Sequence, residues 1–196
     1  LRRPGVRNVQ QRRLQVLRQH HAGHVVAGAG TAGRVAEGLG RSRADVGQWI
    51  AGQQFDLGIV ALPMEAPAIR STAFARVRLV LAVPARHRLA NRAVVRPADI
   101  AEENFVALRA HTLLRHHSDE QFSRLGLSPP VRAETSSGLS ACQLVAEGVG
   151  VALVDPIIAR TIPGIAIKRW EPAAHLTYGF LFPTAVGGFG AALAPL

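Results

Sequence analysis

The stretch Ser136-Ser137-Gly138-Leu139-Ser140-Ala141-Cys142-Gln143-Leu144-Val145-Ala146-Glu147-Gly148-Val149-Gly150-Val151-Ala152-Leu153-Val154-Asp155-Pro156 decides the fold class. Leu139, Cys142, Leu144 and Val145 gather on one side of a helix running from Ser136 to Glu147. Ser136 or Ser137 is a natural N-cap, because a short hydroxyl side chain accepts from an otherwise unpaired helix N–H. Gly148-Val149-Gly150 ends that helix. Val151 to Val154 is then an unbroken apolar run, short enough for a strand buried on both faces. Asp155-Pro156 opens another helical turn, through Arg160.

Working towards the N-terminus, Val131–Glu134 is a short extended piece. Leu113 to Leu125 is helical, with Leu113, Leu114, His117, Gln121, Phe122 and Leu125 near a 3.6 period. Gly126 terminates it, and Pro129-Pro130 blocks continuation. Phe105–Leu108 is a strand, and Val94 to Ala98 is extended, entering a helical turn at Pro97-Ala98-Asp99-Ile100. Val77–Val83 is a strand ended by Pro84, and Phe55–Leu62 one closed by Pro63. Val46, Trp49 and Ile50 at i, i+3, i+4 mark a short helix that stops at Gly52. Towards the C-terminus, Ile165–Trp170 and Leu176–Phe182 are strands, the second ended by Pro183. Strands alternating with helices predict an α/β fold with mainly parallel sheets covered on both faces. The Pro-closed strand ends and halves of roughly 100 residues predict two lobes.

Composition narrows the classes. Of 196 residues, 48% are hydrophobic and 18% charged, which supports a core and argues against a disordered chain. No apolar run is long enough to span a bilayer. Leu1-Arg2-Arg3-Pro4-Gly5 has no apolar stretch behind it, so it does not read as a secretory signal. A single cysteine, Cys142, leaves no internal disulfide framework, and a reducing cytoplasm is the default expectation. The net charge is +10, and residues 1–45 carry +7 of it, with nine arginines against Glu37 and Asp45. A basic arm of this kind can touch nucleic acid, but no aromatic residues interleave with the arginines, and a G/C-rich coding sequence explains the bias more simply.

Four segments, in order, resemble the effector-binding domain of LysR-type transcriptional regulators. They are Gln48-Trp49-Ile50-Ala51 with Phe55-Asp56-Leu57-Gly58-Ile59; Leu79 to Ala90; Phe105-Val106-Ala107-Leu108 after Ala98-Asp99-Ile100; and Leu144 to Leu153, with its Gly148-Val149-Gly150. Arg88 stands where the family usually has proline. The match covers about residues 44–183. It implies a periplasmic-binding-protein-like pair of lobes around a cleft, with residues 1–78 plus 182–196 forming one and 79–181 the other. The chain would pass between them near Arg78–Val80 and near Tyr178–Leu181. It further implies a small-molecule effector, a homo-oligomer (dimer or tetramer), no membrane, no catalytic role and no cofactor. DNA would be read by a winged helix-turn-helix outside these residues. Residues 18–43 and 187–196 depart from the family pattern, and 18–43 lack its amphipathic helix and second strand. A shortened segment or a shifted reading frame would account for this.

The resemblance places effector contacts at Ser42, at Leu62 after the Phe55–Leu62 strand, at Arg109, His111 and Thr112 after Phe105–Leu108, at Thr135 and Ser136, and at Asp155. Physical chemistry favours the same loops. In open α/β folds ligands sit beyond the carboxyl ends of strands, where helix N–H groups and the helix dipole favour a carboxylate. Thr112, Thr135 and Ser136 would donate hydroxyls to it, Arg109 would pair with it, and Asp155 would hold an ammonium group. Capping is an equally good account of Thr135 and Ser136, and the better one of Asp155. The wording of Val151 to Pro156 resembles members that sense amino acids or opines, so a small carboxylate or amino acid is the expected effector.

Two other classes compete. Gly28-Ala29-Gly30-Thr31-Ala32-Gly33 spells G-x-G-x-x-G after Val25-Val26, as in a nucleotide-dependent oxidoreductase, but the strand before it is short and the segment after it has a weak apolar face. A solute-binding protein would share the lobes but needs an export signal. His20, His21 and His24 have an i, i+4 pair but no acidic or cysteine neighbour, so surface histidines account for them better than a metal site.

Overall fold

The structure, a computed structural model, describes residues 24–27, 35–38, 43–52, 55 and 57–184. Its first element group is a five-stranded sheet. The strands are β1 (His24–Ala27), β2 (Val35–Gly38), β3 (Leu57–Leu62), β4 (Ile69–Arg78) and β11 (His175–Pro183), in the order β2-β1-β3-β11-β4. Helix α1 (Arg43–Ala51) packs on it, because Val46 and Ile50 fall on one face and are fully buried against Val60 and Leu181. Gly52 closes the helix, its N–H donating to Gln48 O at 2.8 Å.

The second group holds the larger core. Strands β5 (Val80–Pro84), β6 (Val94–Val95), β9 (Ala152–Val154) and β10 (Ile165–Trp170) form a sheet in the order β6-β10-β5-β9. Strands β7 (Phe105–Leu108) and β8 (Val131–Thr135) pair in parallel, and Phe105 bridges in parallel to Val151. Helices α2 (Leu113–Arg124), α3 (Gly138–Ala146) and the single turn α4 (Pro156–Ala159) complete it. One apolar cluster gathers Leu79, Leu81, Val83, Trp170 and Phe122. A second, on the opposite side of β5, gathers Ala82, Val106, Cys142, Val145, Val154 and Ile158. Strand β5 feeds both, which is why its sequence is a continuous apolar run.

The α/β expectation holds, but the sheets are not mainly parallel. Neighbours in the five-stranded sheet are all antiparallel, as are β10–β5 and β5–β9. Among the ladders of the described residues only β10–β6 and β7–β8 are parallel. An apolar run reveals that a strand is buried on both faces and says nothing about its direction. The long strand β4 was also not read from the sequence. Its burial alternates weakly, and arginines at 70, 76 and 78 interrupt the apolar signal.

The turn Gly148-Val149-Gly150 has two separate physical demands. Gly148 has φ +77°, a left-handed conformation that side-chain-bearing residues rarely adopt. Gly150 is needed for space, since a Cβ there would lie 2.2 Å from Asn104 O. Val151 N–H then donates to that same carbonyl at 2.8 Å, which sets the strand beside β7. Arg88 has its own role: its Nε donates to Glu103 Oε1 at 2.6 Å and its Nη2 to Asp99 O at 2.8 Å.

The two groups are joined by two stretches of chain. Strand β4 ends at Arg78 and β5 starts at Val80, while β10 ends at Trp170 and β11 starts at His175. Arg78 ties these stretches together, donating from Nη2 to Trp170 O at 3.0 Å and to Glu171 Oε1 at 2.5 Å. Leu79 N–H donates to Ala174 O at 2.8 Å. By backbone pairing all of β11 lies in the five-stranded sheet. Its side chains divide differently: Leu176 and Tyr178 pack on the larger core, and Leu181 on the smaller one. The handover falls where the ladder shifts register, between Tyr178 and Gly179.

Candidate functional site

Strands β8, β7 and the residues leading into β9 run parallel, so their carboxyl ends share one edge. Each end leads into a helix N-terminus, at Thr112, Ser137 and Asp155. The edge is therefore lined with helix N–H groups, the arrangement that attracts an anion.

The sequence-derived residues divide on this frame. Arg109, His111, Thr112, Thr135 and Ser136 come together, because Leu108 pairs with Thr135 across β7–β8 and Arg109 N–H donates to Thr135 O at 3.0 Å. Arg109, His111 and Ser136 are exposed. Thr112 caps α2: its Oγ1 accepts from Arg115 N–H at 3.2 Å and donates to Arg109 O at 2.8 Å. The cap of α3 is Ser137, accepting from Ser140 N–H at 3.1 Å, so neither Thr135 nor Ser136 is spent on capping the helix. Thr135 Oγ1 accepts only a long bond from Ser137 N–H at 3.5 Å. Leu62 is partly buried, packs against the smaller core and presses on Gly179. Ser42, Gly28 to Gly33, His20 and His21, the side chain of His24, and the 187–196 tail lie outside the described residues.

Asp155 does not hold an open ammonium site. It is 1% exposed and both carboxylate oxygens are engaged. Oδ1 accepts from Ile157 N–H at 2.6 Å, capping α4, and Oδ2 accepts from Tyr178 O–H at 2.5 Å. Burial raises its pKa, opposed by the bonds from Tyr178 and Ile157. Burial and then the nearby Asp155 push the Tyr178 phenol well above its ordinary value, and burial with Asp155 pushes the Cys142 thiol up to about 12. Cys142 is thus a packed, inert thiol at neutral pH.

Arg115 was missed as part of the site. Its Nε donates to both Asp119 oxygens at 2.8 Å, and its Nη1 donates to Leu108 O and Glu134 Oε2, each at 3.2 Å. These bonds, that to Asp119 foremost, raise its pKa and keep it charged. It fastens α2 to the ends of β7 and β8. Only the i, i+4 spacing to Asp119 was visible in the sequence. An open depression of about 420 Å³ lies elsewhere, at Met64, Glu65, Pro67, Ile69 and Ser71.

The dinucleotide alternative loses its geometry. Val35–Gly38 returns antiparallel to His24–Ala27, so the next described element after that strand is another strand, where a dinucleotide fold has the helix that holds the pyrophosphate. No helix of the described residues is long and apolar enough to cross a membrane.

Two parallel strand ends carrying capped helices, beside a second sheet joined by two stretches of chain, make a mixed α/β fold of two sheet groups. The chain belongs to the family of the LysR substrate binding domain, whose model matches residues 40–185. The regulatory protein NocR of Agrobacterium tumefaciens is 29% identical over 134 residues, 67% of this chain and 45% of NocR. The chain thus spans under half the length of that relative. The effector-binding domain of QuiR in complex with shikimate superposes with TM-score 0.66 at 17% identity, covering 75% of this chain and 71% of that one. The BenM effector-binding domain with its effector benzoate gives 0.61 at 22%, covering 74% and 68%.

Proposed function

We propose that this chain is the effector-binding part of a cytoplasmic LysR-type transcriptional regulator, and that it binds a small carboxylate. The two sheets form two lobes, dividing between Arg78 and Val80 and again between Trp170 and His175. The carboxylate would lie in the gap beyond β7 and β8. The observation that carries this reading is the convergence of Arg109, Thr112, Thr135 and Ser136 on the N-termini of α2 and α3. Helix N–H groups and their dipoles favour negative charge, and Arg109 is an exposed cation beside them. Benzoate and shikimate, named for BenM and QuiR, support the carboxylate class. Because Asp155 is buried and fully paired, an ammonium group on the ligand would have to find another partner.

In the whole protein, a DNA-reading domain outside these residues would respond to the angle between the lobes, in a dimer or tetramer. A ligand shifts that angle only to the extent that it binds one orientation better. Calorimetric titration with a panel of small carboxylates and amino acids tests the reading. At least one carboxylate is expected to bind, and Thr135→Ala to weaken it roughly tenfold, the loss of one hydrogen bond to a charged group. A flat panel on a folded sample defeats the ligand class.

A further inference from the structure

The pair Asp155–Tyr178 is over-provided for a helix cap. Capping α4 takes one acceptor, and Oδ1 supplies it to Ile157 N–H at 2.6 Å. Serine or asparagine would do that work without placing a second carboxylate oxygen in the core. In this chain the second oxygen is there, on a side chain 1% exposed, and the bond from Tyr178 O–H is what satisfies it. The two partners belong to different sheets. Asp155 follows β9 in the larger body, and Tyr178 lies within β11 of the five-stranded sheet. Tyr178 also stands at the handover of β11 from one core to the other, beside the register shift.

We propose that Asp155 and Tyr178 are positioning residues: their hydrogen bond fixes the angle between the two bodies, and so the width of the gap that residues 109–112 and 135–137 border. This rests on the effector reading above for its purpose, but not for its geometry. A second tie, Arg78 to Glu171, sits at the joining stretches with side chains 34% and 28% exposed. Water can replace its partners as the bodies turn, so it tolerates a range of angles. At the Asp155–Tyr178 bond the acceptor carboxylate is 1% exposed, so water has little access to its side of the bond. Turning the bodies away from this geometry leaves a buried carboxylate oxygen without a donor, so one angle is favoured over its neighbours.

The test uses the whole 196-residue chain carrying spin labels at Glu65→Cys in the five-stranded body and Glu102→Cys in the larger one, both at exposed positions. Cys142 is buried and does not compete for the label. The native pair is expected to give one narrow label-to-label distance. Tyr178→Phe is expected to broaden it, and to lower the folded-to-unfolded ratio roughly tenfold by orphaning Oδ2. The double variant Asp155→Ser with Tyr178→Phe keeps a cap but has no orphan oxygen. It is expected to recover the stability and keep the broad distribution. A narrow distance in both variants overturns the proposal, as does stability lost and regained with no change in the distance. If Tyr178→Phe does not fold, the double variant alone decides. The distance needs no ligand, so a narrow result leaves the carboxylate titration standing. A broad distance with a flat panel removes the ligand class and keeps the positioning pair.

Discussion

The two bodies are built to different standards. Among the described residues, the five-stranded sheet rests on four buried side chains, Val46, Ile50, Val60 and Leu181. The larger body rests on clusters of fourteen and ten that share strand β5 between them. In the larger body strands β5, β7 and β9 are short and continuously apolar, and aromatic rings meet edge to face, as Phe122 does with Phe105 and Trp170. In the five-stranded sheet, long β4 and β11 carry much of the pairing, and exposed Arg70 and Arg76 punctuate β4. A domain can therefore place the loops proposed to face its ligand on the better-packed body and leave the other body to be set by a few ties.

Matched core truncations put that contrast under most strain. Leu81→Ala removes a fully buried side chain from the larger core and is expected to cost about 2–5 kcal/mol. Ile50→Ala should cost less, nearer the low end of about 2 kcal/mol, because the smaller cluster has less around it to lose. Hydrogen exchange should show the Leu81 effect across β5, β9 and β10 and confine the Ile50 effect to the five-stranded sheet. Equal and global effects would break the contrast.

A smaller effect sharpens it. Gly150→Ala drives a Cβ against the Asn104 backbone, where nothing can swing aside, and should cost about 1–3 kcal/mol in urea unfolding. The change lies where β9 is set beside β7 inside the larger body, so the five-stranded sheet should keep its native exchange pattern.

The smallest effect is a slope with pH. Asp155 has a higher pKa folded than unfolded, so the folded chain holds its proton over a window where the unfolded chain has lost it. Stability from this group is present below the unfolded value and is lost as pH rises through the folded one. Glu171 has the opposite sign: Arg78 and then Arg169 hold its pKa down, and its contribution is lost as pH falls. Urea midpoints of the native chain and of Asp155→Asn, compared through the acid range, isolate the first term. The native chain should gain relative to the variant on acidification, and a relative loss instead would show that Asp155 is not the buried acid described.

The larger body was the more legible of the two in the sequence. Its helix periods at 113–125 and 136–147 and its apolar runs at 105–108 and 151–154 survive in the structure because their apolar residues, Leu125 excepted, bury or pack against the two cores. Strand direction was lost, since continuous burial carries no polarity. Strand β4 was lost because none of its ten residues is fully buried and four are exposed. At the site, the loops were found from the strand-to-helix pattern, and Arg109, Thr112, Thr135 and Ser136 do share an edge. The capping residue proved to be Ser137, one of the two serines the pattern allowed. The partner of Asp155 was invisible, because Tyr178 lies 23 residues away on a strand of the other sheet and no local spacing connects them.

The bond from Arg109 N–H to Thr135 O stitches the loops after β7 and β8 into one piece. Under the proposed function neither loop can be redesigned alone: a graft meant to change the ligand must carry residues 109–112 and 135–137 together, or the seam between them opens.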